Sequence, residues 1–276
     1  MSEYLGRRAS TWQLGEIDFD AIDTDLVRND EYLFYLLASA SFVEIMSELY
    51  ACNLADHYRE NSALVTWLEE SWQREETQHG KAFKAYVTAV WPDFDWEGAY
   101  SSFAAEYAAI CTTSELEPSQ ALEMVARCVV EMGTSTLYRA LHHYTREPVL
   151  RRLLSNIKAD EVRHFGEFRH FFREYNRAEN NGVWEVARTM WTRITEIRGE
   201  DTYIAFKHVY LQRNPDLTFQ HEIWTGFMKR VNFLAHLHYP YRMAVDMLLS
   251  PLPIPQPFKN LLRYPMILLA RATLFR

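Results

Sequence analysis

Residues that interrupt helices or build tight turns are scarce in this sequence. Its 276 residues include only 9 glycines and 10 prolines, while hydrophobic residues make up 48% of the chain. Leucine, alanine, glutamate and arginine are frequent, and all four have high intrinsic helix propensity. A turn-rich β architecture needs more glycine than this, and the hydrophobic fraction supplies a sizeable core. We therefore predict an all-α fold.

Cysteine and long apolar runs are scarce as well. The three cysteines, Cys52, Cys111 and Cys128, cannot all pair with one another, and each falls in a segment with a helical pattern. Because free cysteine packs in helices as a small apolar residue, we expect no disulfide framework and a reducing, cytoplasmic location. Residues 1–20 lack the apolar stretch of a secretory signal. No run of about 18 uncharged apolar residues occurs, so we expect no transmembrane segment.

The net charge of −8 is unevenly distributed. Residues 1–201 carry 20 Lys and Arg against 34 Asp and Glu, whereas residues 202–276 carry 9 against 3. The acidic part argues against nucleic-acid binding, which requires a basic surface. The basic part could be a docking surface for an acidic partner or simply a solvated face, and the sequence leaves both open.

The apolar periodicity divides the chain into four segments. Residues 1–28 show no sustained period and are predicted to form an extended or loosely packed arm. The pattern predicts that residues 29–178 form a four-helix bundle and that residues 183–249 form additional helices packed on it. Residues 250–276 are predicted to be a proline-rich linker followed by an amphipathic tail.

Local signals place the boundaries of the individual helices. The first predicted helix runs from an N-cap at Asn29 or Asp30 to near His57–Asn61, the second starts at Ser62 and is stopped by Pro92, and a shorter helix runs from Trp96 to Cys111. The third long helix has Pro118 in its first turn and the fourth is opened by Pro148. Two more helices are predicted near 183–212 and 217–249.

A glutamate interrupts the core-facing stripe of each of the four long helices. These residues are Glu44, Glu76, Glu131 and Glu161. A buried ionised carboxylate costs several kcal/mol unless it is paired or binds a metal. Four carboxylates converging on one core would repel one another, whereas two divalent cations would balance their charge. The pattern therefore indicates a site for two metal ions.

Two histidines extend this pattern. Glu76–His79 and Glu161–His164 are both Glu-x-x-His motifs, and side chains three residues apart share one face of a helix. Each motif follows a helix with its own stripe glutamate, so the chain contains two copies of one helix pair. This ligand set is typical of ferritin-like di-iron and di-manganese bundles. The predicted ligands are Glu44, Glu76, His79, Glu131, Glu161 and His164.

Two alternatives remain open at this point. Glu48 lies one turn from Glu44 and competes with it as a ligand. The four glutamates could also face solvent or form salt bridges, with both histidines in the core. Carboxylate and imidazole ligands favour two iron ions, with Mn/Fe and Mn/Mn pairs possible.

The same residues resemble the soluble acyl-carrier-protein desaturases of the ferritin-like superfamily. Trp72–Gly80 is similar to their W-x-x-E-E-x-x-H-G motif, and Ala159–His164 is similar to their A-D-E-x-R-H motif. Thr134, three residues after Glu131, corresponds to a threonine near a metal glutamate in that family. The resemblance covers residues 30–175, and residues 183–276 lie outside it.

The resemblance implies a function and its participants. A ferredoxin-type donor would reduce the metals, dioxygen would be activated, and a C–H bond of an acyl or small organic substrate, possibly bound to a carrier protein, would be oxidised. Thr134 would assist proton delivery, Asp160 and Glu75 would orient ligands or pass electrons and protons, and Arg163 would offset the carboxylate charge. The resemblance also favours a homodimer.

Other interpretations differ in function class. Similar bundles act as N-oxygenases of amines, and ferritins store metal, although the aromatic content and extra helices argue against storage. Thr134 could instead bond to the backbone of its own helix. The tail could lie on an anionic membrane, or it could pack on the bundle or on a second subunit.

Overall fold

The described residues form helices and no strand. The computed structural model describes residues 10–113, 116–196 and 200–275. Within them lie twelve α-helices, which confirms the predicted all-α class: α1 Glu31–Ile45, α2 Ser47–His57, α3 Ser62–Trp67, α4 Gln73–Val90, α5 Trp96–Tyr107, α6 Gln120–Tyr144, α7 Pro148–Glu179, α8 Val183–Glu196, α9 Glu200–Arg213, α10 His221–His238, α11 Tyr241–Leu249 and α12 Gln256–Thr273.

The chain divides into two compact units, each built from separated segments. The first unit comprises Met1–Glu115, Thr145–Leu153 and Gly199–Arg230, and the second comprises Leu116–Tyr144, Leu154–Arg198 and Val231–Arg276. Both units therefore draw on early and late parts of the sequence, whereas the segments predicted from periodicity were continuous.

In the first unit, α1 packs along α4, and α9 packs against both α1 and α5. Asp30 is the N-cap of α1, since its side chain accepts a hydrogen bond from Leu33 N at 3.0 Å, as one of the two predicted caps. The single long helix predicted from residue 30 is two helices, because the chain breaks at Met46. Asn61 rather than Ser62 caps α3, because its side chain accepts from Leu64 N at 3.1 Å.

Residues 10–28 are packed more closely than the predicted loose arm. They contain three short 3₁₀ turns, at Leu14–Glu16, Phe19–Ala21 and Thr24–Leu26. Three apolar side chains of this segment are buried: Trp12, Ile17 and Val27. Apolar residues this far apart show no helical or strand period, which is why the sequence pattern did not reveal that they are buried.

In the second unit, α6 packs against α8 and α11, and α11 packs against α12. Pro148 opens α7 as predicted. Pro118 does not lie in α6, because that helix starts at Gln120. The residue before it, Ser119, accepts a hydrogen bond at Oγ from Leu122 N at 3.0 Å. The helix predicted near 183–212 covers α8 and α9, and residues 197–199 between them lie outside the described residues. The helix predicted near 217–249 is two helices, because the chain breaks at Pro240, before α11.

The cysteines and the apolar helices bear on two further expectations. All three cysteines are free, with Cys128 buried and Cys52 exposed. One described segment, Glu31–His57, is long and apolar enough to cross a membrane by length and composition alone. Within that segment, 56% of the most apolar window is buried inside the protein. One such helix is weak evidence for a membrane span, because a buried core helix and a signal sequence near the N-terminus meet the same criterion.

Candidate metal sites

The first candidate site lies in the first unit, where α1 and α4 are in contact. Glu44, Glu76 and His79 are buried, with exposed fractions of 5%, 8% and 0%. His79 Nδ1 lies 3.7 Å from Glu44 Oε2, and one ligand atom of each residue lies within 4.8 Å of the others. The three side chains, here called the first triad, are thus close enough to bind one metal ion.

A glycine sets the distance between the two helices that carry this triad. A Cβ added at Gly80 would lie 2.5 Å from Ile45 Cγ1 and 2.7 Å from Ile45 N. Since α1 passes this close to α4, no larger residue fits without moving the backbone. Gly80 follows His79 and Ile45 follows Glu44, so this close approach of the two helices lies next to the triad.

Helical irregularities flank the same residues. The chain breaks at Met46, two residues after Glu44, and the segment Leu68–Trp72 ahead of α4 is a π-helical turn. Such local changes of hydrogen-bond register occur often at functional sites, because they rotate the following side chains.

The arm covers the first triad, which sequence reasoning missed. The Trp12 ring stacks on the His79 ring at a centroid distance of 6.2 Å and an interplanar angle of 5°. Glu75 Oε1 accepts a hydrogen bond from Ser10 N at 2.9 Å, and Gln78 Nε2 donates to Trp12 O at 3.3 Å. The one available signal was Trp12, the single tryptophan of residues 1–28.

The second candidate site lies in the second unit, on α6 and α7. Glu131, Glu161 and His164 have exposed fractions of 2%, 1% and 1%. His164 Nδ1 lies 3.5 Å from Glu131 Oε2 and 3.8 Å from Glu161 Oε2. One ligand atom of each residue lies within 4.8 Å of the others. This second triad has the same composition as the first.

Thr134 lies beside the second triad. Its hydroxyl is within hydrogen-bonding distance of three acceptors: Glu161 Oε2 at 3.0 Å, Glu131 O at 3.2 Å and Val130 O at 3.3 Å. One hydroxyl proton serves one acceptor well at a time. The geometry therefore allows both the predicted contact with a ligand carboxylate and the alternative bond to its own helix.

The buried Asp160 is bound by a cation on its own helix. Arg163 Nη1 donates to Asp160 Oδ1 at 2.7 Å, and Asp160 has an exposed fraction of 1%. The positive charge of Arg163 thus lies three residues from Asp160 and two from Glu161, as expected if it offsets the negative charge of this region.

The electrostatics of the second triad favour binding of a cation. Burial raises the pKa of Glu131 from 4.5 to about 8, with the negative charge of Glu161 acting in the same direction and His164 opposing it. The ionised form of Glu131 is therefore unfavourable in the fold unless a positive charge is added. A bound metal ion supplies such a charge.

Burial also distinguishes between the alternatives left by the sequence. The four stripe glutamates are buried, so the interpretation in which they face solvent is wrong. Glu48 is exposed whereas Glu44 is buried, which favours Glu44 as the ligand on this part of the chain.

The donor set fits a divalent cation with oxygen and nitrogen ligands. Each triad offers two carboxylates and one imidazole, a combination that suits iron, manganese or zinc better than a soft thiolate-seeking metal. No family model, no curated protein and no solved structure matches the chain. The assignment of a metal therefore depends on these side chains alone.

Proposed function

We propose that the chain is a dioxygen-activating, non-haem di-iron oxidoreductase with a ferritin-like four-helix bundle, acting on an acyl or small organic substrate. One observation carries the proposal. Two buried triads each combine a glutamate on one helix with a Glu-x-x-His pair on another, and each brings its ligand atoms within 4.8 Å. That duplicated ligand set is the one used by ferritin-like di-iron proteins.

Charge and burial favour metal binding over a purely structural role. Each triad buries two carboxylates beside one imidazole, which cannot neutralise both of them. One divalent cation per triad balances two carboxylates, and fewer than four protein ligands per ion leave positions open for another molecule. Iron bound at these residues would supply the electrons for reductive activation of dioxygen.

The neighbouring side chains would then hold protons and orient the ligands. Thr134 can hold a proton at Oγ1, 3.0 Å from Glu161 Oε2, where it is available to a molecule bound at the second triad. Trp12 covers the His79 ring and fixes its plane, and the Arg163–Asp160 pair places a positive charge on the helix of Glu161.

The substrate and partners follow from the motif resemblance and belong to the proposal. An acyl chain on a carrier protein, a ferredoxin-type electron donor and a homodimer are the participants implied by W-x-x-E-E-x-x-H-G at Trp72–Gly80 and A-D-E-x-R-H at Ala159–His164.

Anaerobic iron loading tests the proposal directly. Metal-free protein is titrated with ferrous iron, bound iron is measured, and dioxygen is then added while the absorption and Mössbauer spectra are recorded. We expect about two iron ions per chain and an oxygen-dependent change in both spectra. Iron binding without any reaction with dioxygen would contradict the proposal, and assembly into a large hollow shell would instead indicate iron storage.

Variants connect the signal to the predicted residues. Glu76→Gln and Glu161→Gln remove one ligand charge each and should lower bound iron and the oxygen-dependent signal. Glu48→Gln, at an exposed position on α2, is the matched control and should leave both unchanged. Product analysis after turnover with an acyl carrier substrate or with an amine then distinguishes C–H oxidation from N-oxygenation.

A further inference from the structure

The last helix turns its apolar side away from the protein. Within α12, six large apolar or aromatic side chains are exposed, including Leu261 at 71% and Leu269 at 62%: Phe258, Leu261, Leu262, Tyr264, Leu268 and Leu269. Most of them recur at spacings of three, four and seven residues and so form one continuous face, here called the apolar stripe. Contiguous exposed apolar surface of this kind marks an interaction site.

The cations of α12 anchor the helix to the second unit. Lys259 Nζ donates to Ser250 O at 2.8 Å, Arg263 Nε is paired with Asp246, and the Arg271 guanidinium lies 5.5 Å from the centroid of the Tyr241 ring. The helix is therefore fixed with its stripe outward, which is the reverse of an amphipathic helix that covers a core.

A group of cations lies beside the first turn of the helix. Arg169 on α7 donates to Ser250 Oγ, and Lys259 donates to the carbonyl oxygen of the same residue. Arg173 lies one turn further along α7. The pKa of Lys259 is lowered by burial and by the positive charges of Arg173 and Arg169. An anion bound here would relieve this repulsion, and the N-terminal end of α12 points a favourable dipole in the same region.

We propose that α12 binds the chain to the surface of an anionic phospholipid membrane, with the apolar stripe at the boundary between headgroups and acyl chains and with Arg169, Arg173 and Lys259 next to the lipid phosphates. Aliphatic side chains with aromatic residues and flanking cations are the composition of interfacial helices. Residues 256–276 contain no acidic residue, so nothing in this segment repels a negative surface.

Two other partners fit these side chains less well. In a two-fold symmetric dimer the second copy would present the same face, which offers cations and no acidic residue of α12 to pair with them. An acidic carrier protein would match the charge but would leave the apolar stripe without an apolar partner. The inference does not depend on the proposed oxidoreductase function, because none of these residues belongs to either triad.

Vesicle flotation with the full chain tests the proposal. We expect the wild type to float with vesicles of phosphatidylcholine and phosphatidylglycerol. Binding to phosphatidylcholine alone should be weaker by roughly a hundredfold, because each of the three cations contributes about fivefold. The Leu261→Glu, Leu269→Glu double variant should lose binding. The pair Arg173→Gln, Lys259→Gln should weaken it by about fivefold per charge removed. Leu217→Glu, at an exposed leucine of the first unit (53%), is the control and should bind as the wild type does.

Several results would overturn this assignment. A wild type that stays unbound with both vesicle types, or a stripe variant that floats as well as the wild type, would do so. Equal binding to both vesicle types would remove the role of the cations. Light scattering on the same protein samples tests whether a second copy of the chain occupies the stripe. A stripe variant that converts a dimer to a monomer and keeps its lipid binding would assign the face to self-association. Capture of an acidic acyl carrier protein by a chain that ignores lipid would assign it to a protein partner.

Discussion

Single residues carry much of the geometry of this fold, and Glu147 is a clear case. Its buried carboxylate precedes α7 and accepts hydrogen bonds from Leu150 N at 2.6 Å, Val149 N at 3.1 Å and the Tyr86 hydroxyl at 3.0 Å. Burial and the neighbouring carboxylate raise the pKa of Tyr86 far above its ordinary value, so the phenol remains a donor. One side chain thus caps a helix and links it to α4.

Removing this carboxylate should be costly. Glu147→Ala leaves several buried donors without their acceptor, and we expect a loss of about 3 kcal/mol in the free energy of unfolding. Tyr86→Phe removes one hydrogen bond only and should cost roughly 1 kcal/mol. Urea denaturation of both variants measures the difference. Equal losses for the two would show that the helix cap itself contributes little.

Gly80 gives a second residue-scale prediction with a built-in control. Gly80→Ala gains helix propensity but places Cβ against the backbone of Ile45, so we expect a net loss of about 1–3 kcal/mol and weaker metal binding. Gly226→Ala lies within α10 with nothing within 4 Å of the added Cβ, and should stabilise the protein by up to about 1 kcal/mol. Thermal unfolding measures both changes in stability, which we expect to have opposite signs. A stabilised Gly80→Ala protein with normal metal binding would contradict the close approach.

The raised pKa of Glu131 predicts a dependence on pH. The folded, metal-free chain keeps this carboxyl protonated up to about pH 8, whereas its ordinary pKa is 4.5. The folded state therefore binds more protons than the unfolded state across that window, and stability should fall as the pH rises through it. The Glu131→Gln variant should show a flatter profile.

Metal binding should reverse this effect and release a proton. Calorimetric titration at pH 7 in buffers of different ionisation enthalpy measures the number of protons released. We expect close to one proton more from the wild type than from Glu131→Gln. The same proton count for both proteins would mean that Glu131 is already ionised before metal binds.

At the scale of elements, the arm behaves as part of the first unit. Trp12 is buried and stacks on His79, so Trp12→Ala should cost about 3 kcal/mol and weaken metal binding at the first triad. Trp184→Ala, at a tryptophan that is 85% exposed, is the control and should leave unfolding unchanged. If Trp12→Ala changed the free energy of unfolding as little as Trp184→Ala does, the arm would not hold this position in solution.

Helix positions and the burial of the four stripe glutamates were predictable from the sequence, whereas helix breaks and long-range contacts were not. The stripes containing Glu44, Glu76, Glu131 and Glu161 repeat every three or four residues, so their burial follows from periodicity. The break at Met46 and the π turn at Leu68–Trp72 leave that periodicity nearly unchanged and are invisible to it. Contacts such as that of Trp12 with His79 join residues far apart in the chain, and no local pattern encodes them.

At the scale of the whole molecule, the same combination of two glutamates and one histidine occurs once in each of the two compact units. Metal binding should raise the unfolding temperature, because an ion bound only by the folded chain stabilises it by mass action. The double variant Glu76→Gln, His79→Asn removes the first triad. If each triad binds on its own, this variant should keep about one iron ion per chain. The sequence-based expectation of one dinuclear centre predicts that both ions are lost.

The contact between Gly80 and Ile45 has a further consequence for how this protein responds to damage. The backbones of α1 and α4 meet there at residues next in sequence to His79 and Glu44. A substitution that forces the two helices apart therefore increases the distance between the donor atoms of the first triad before the core unfolds. We therefore expect metal affinity at the first triad to fall before the unfolding temperature does. Measured iron occupancy then reports the separation of α1 and α4 in variants whose unfolding temperature is unchanged.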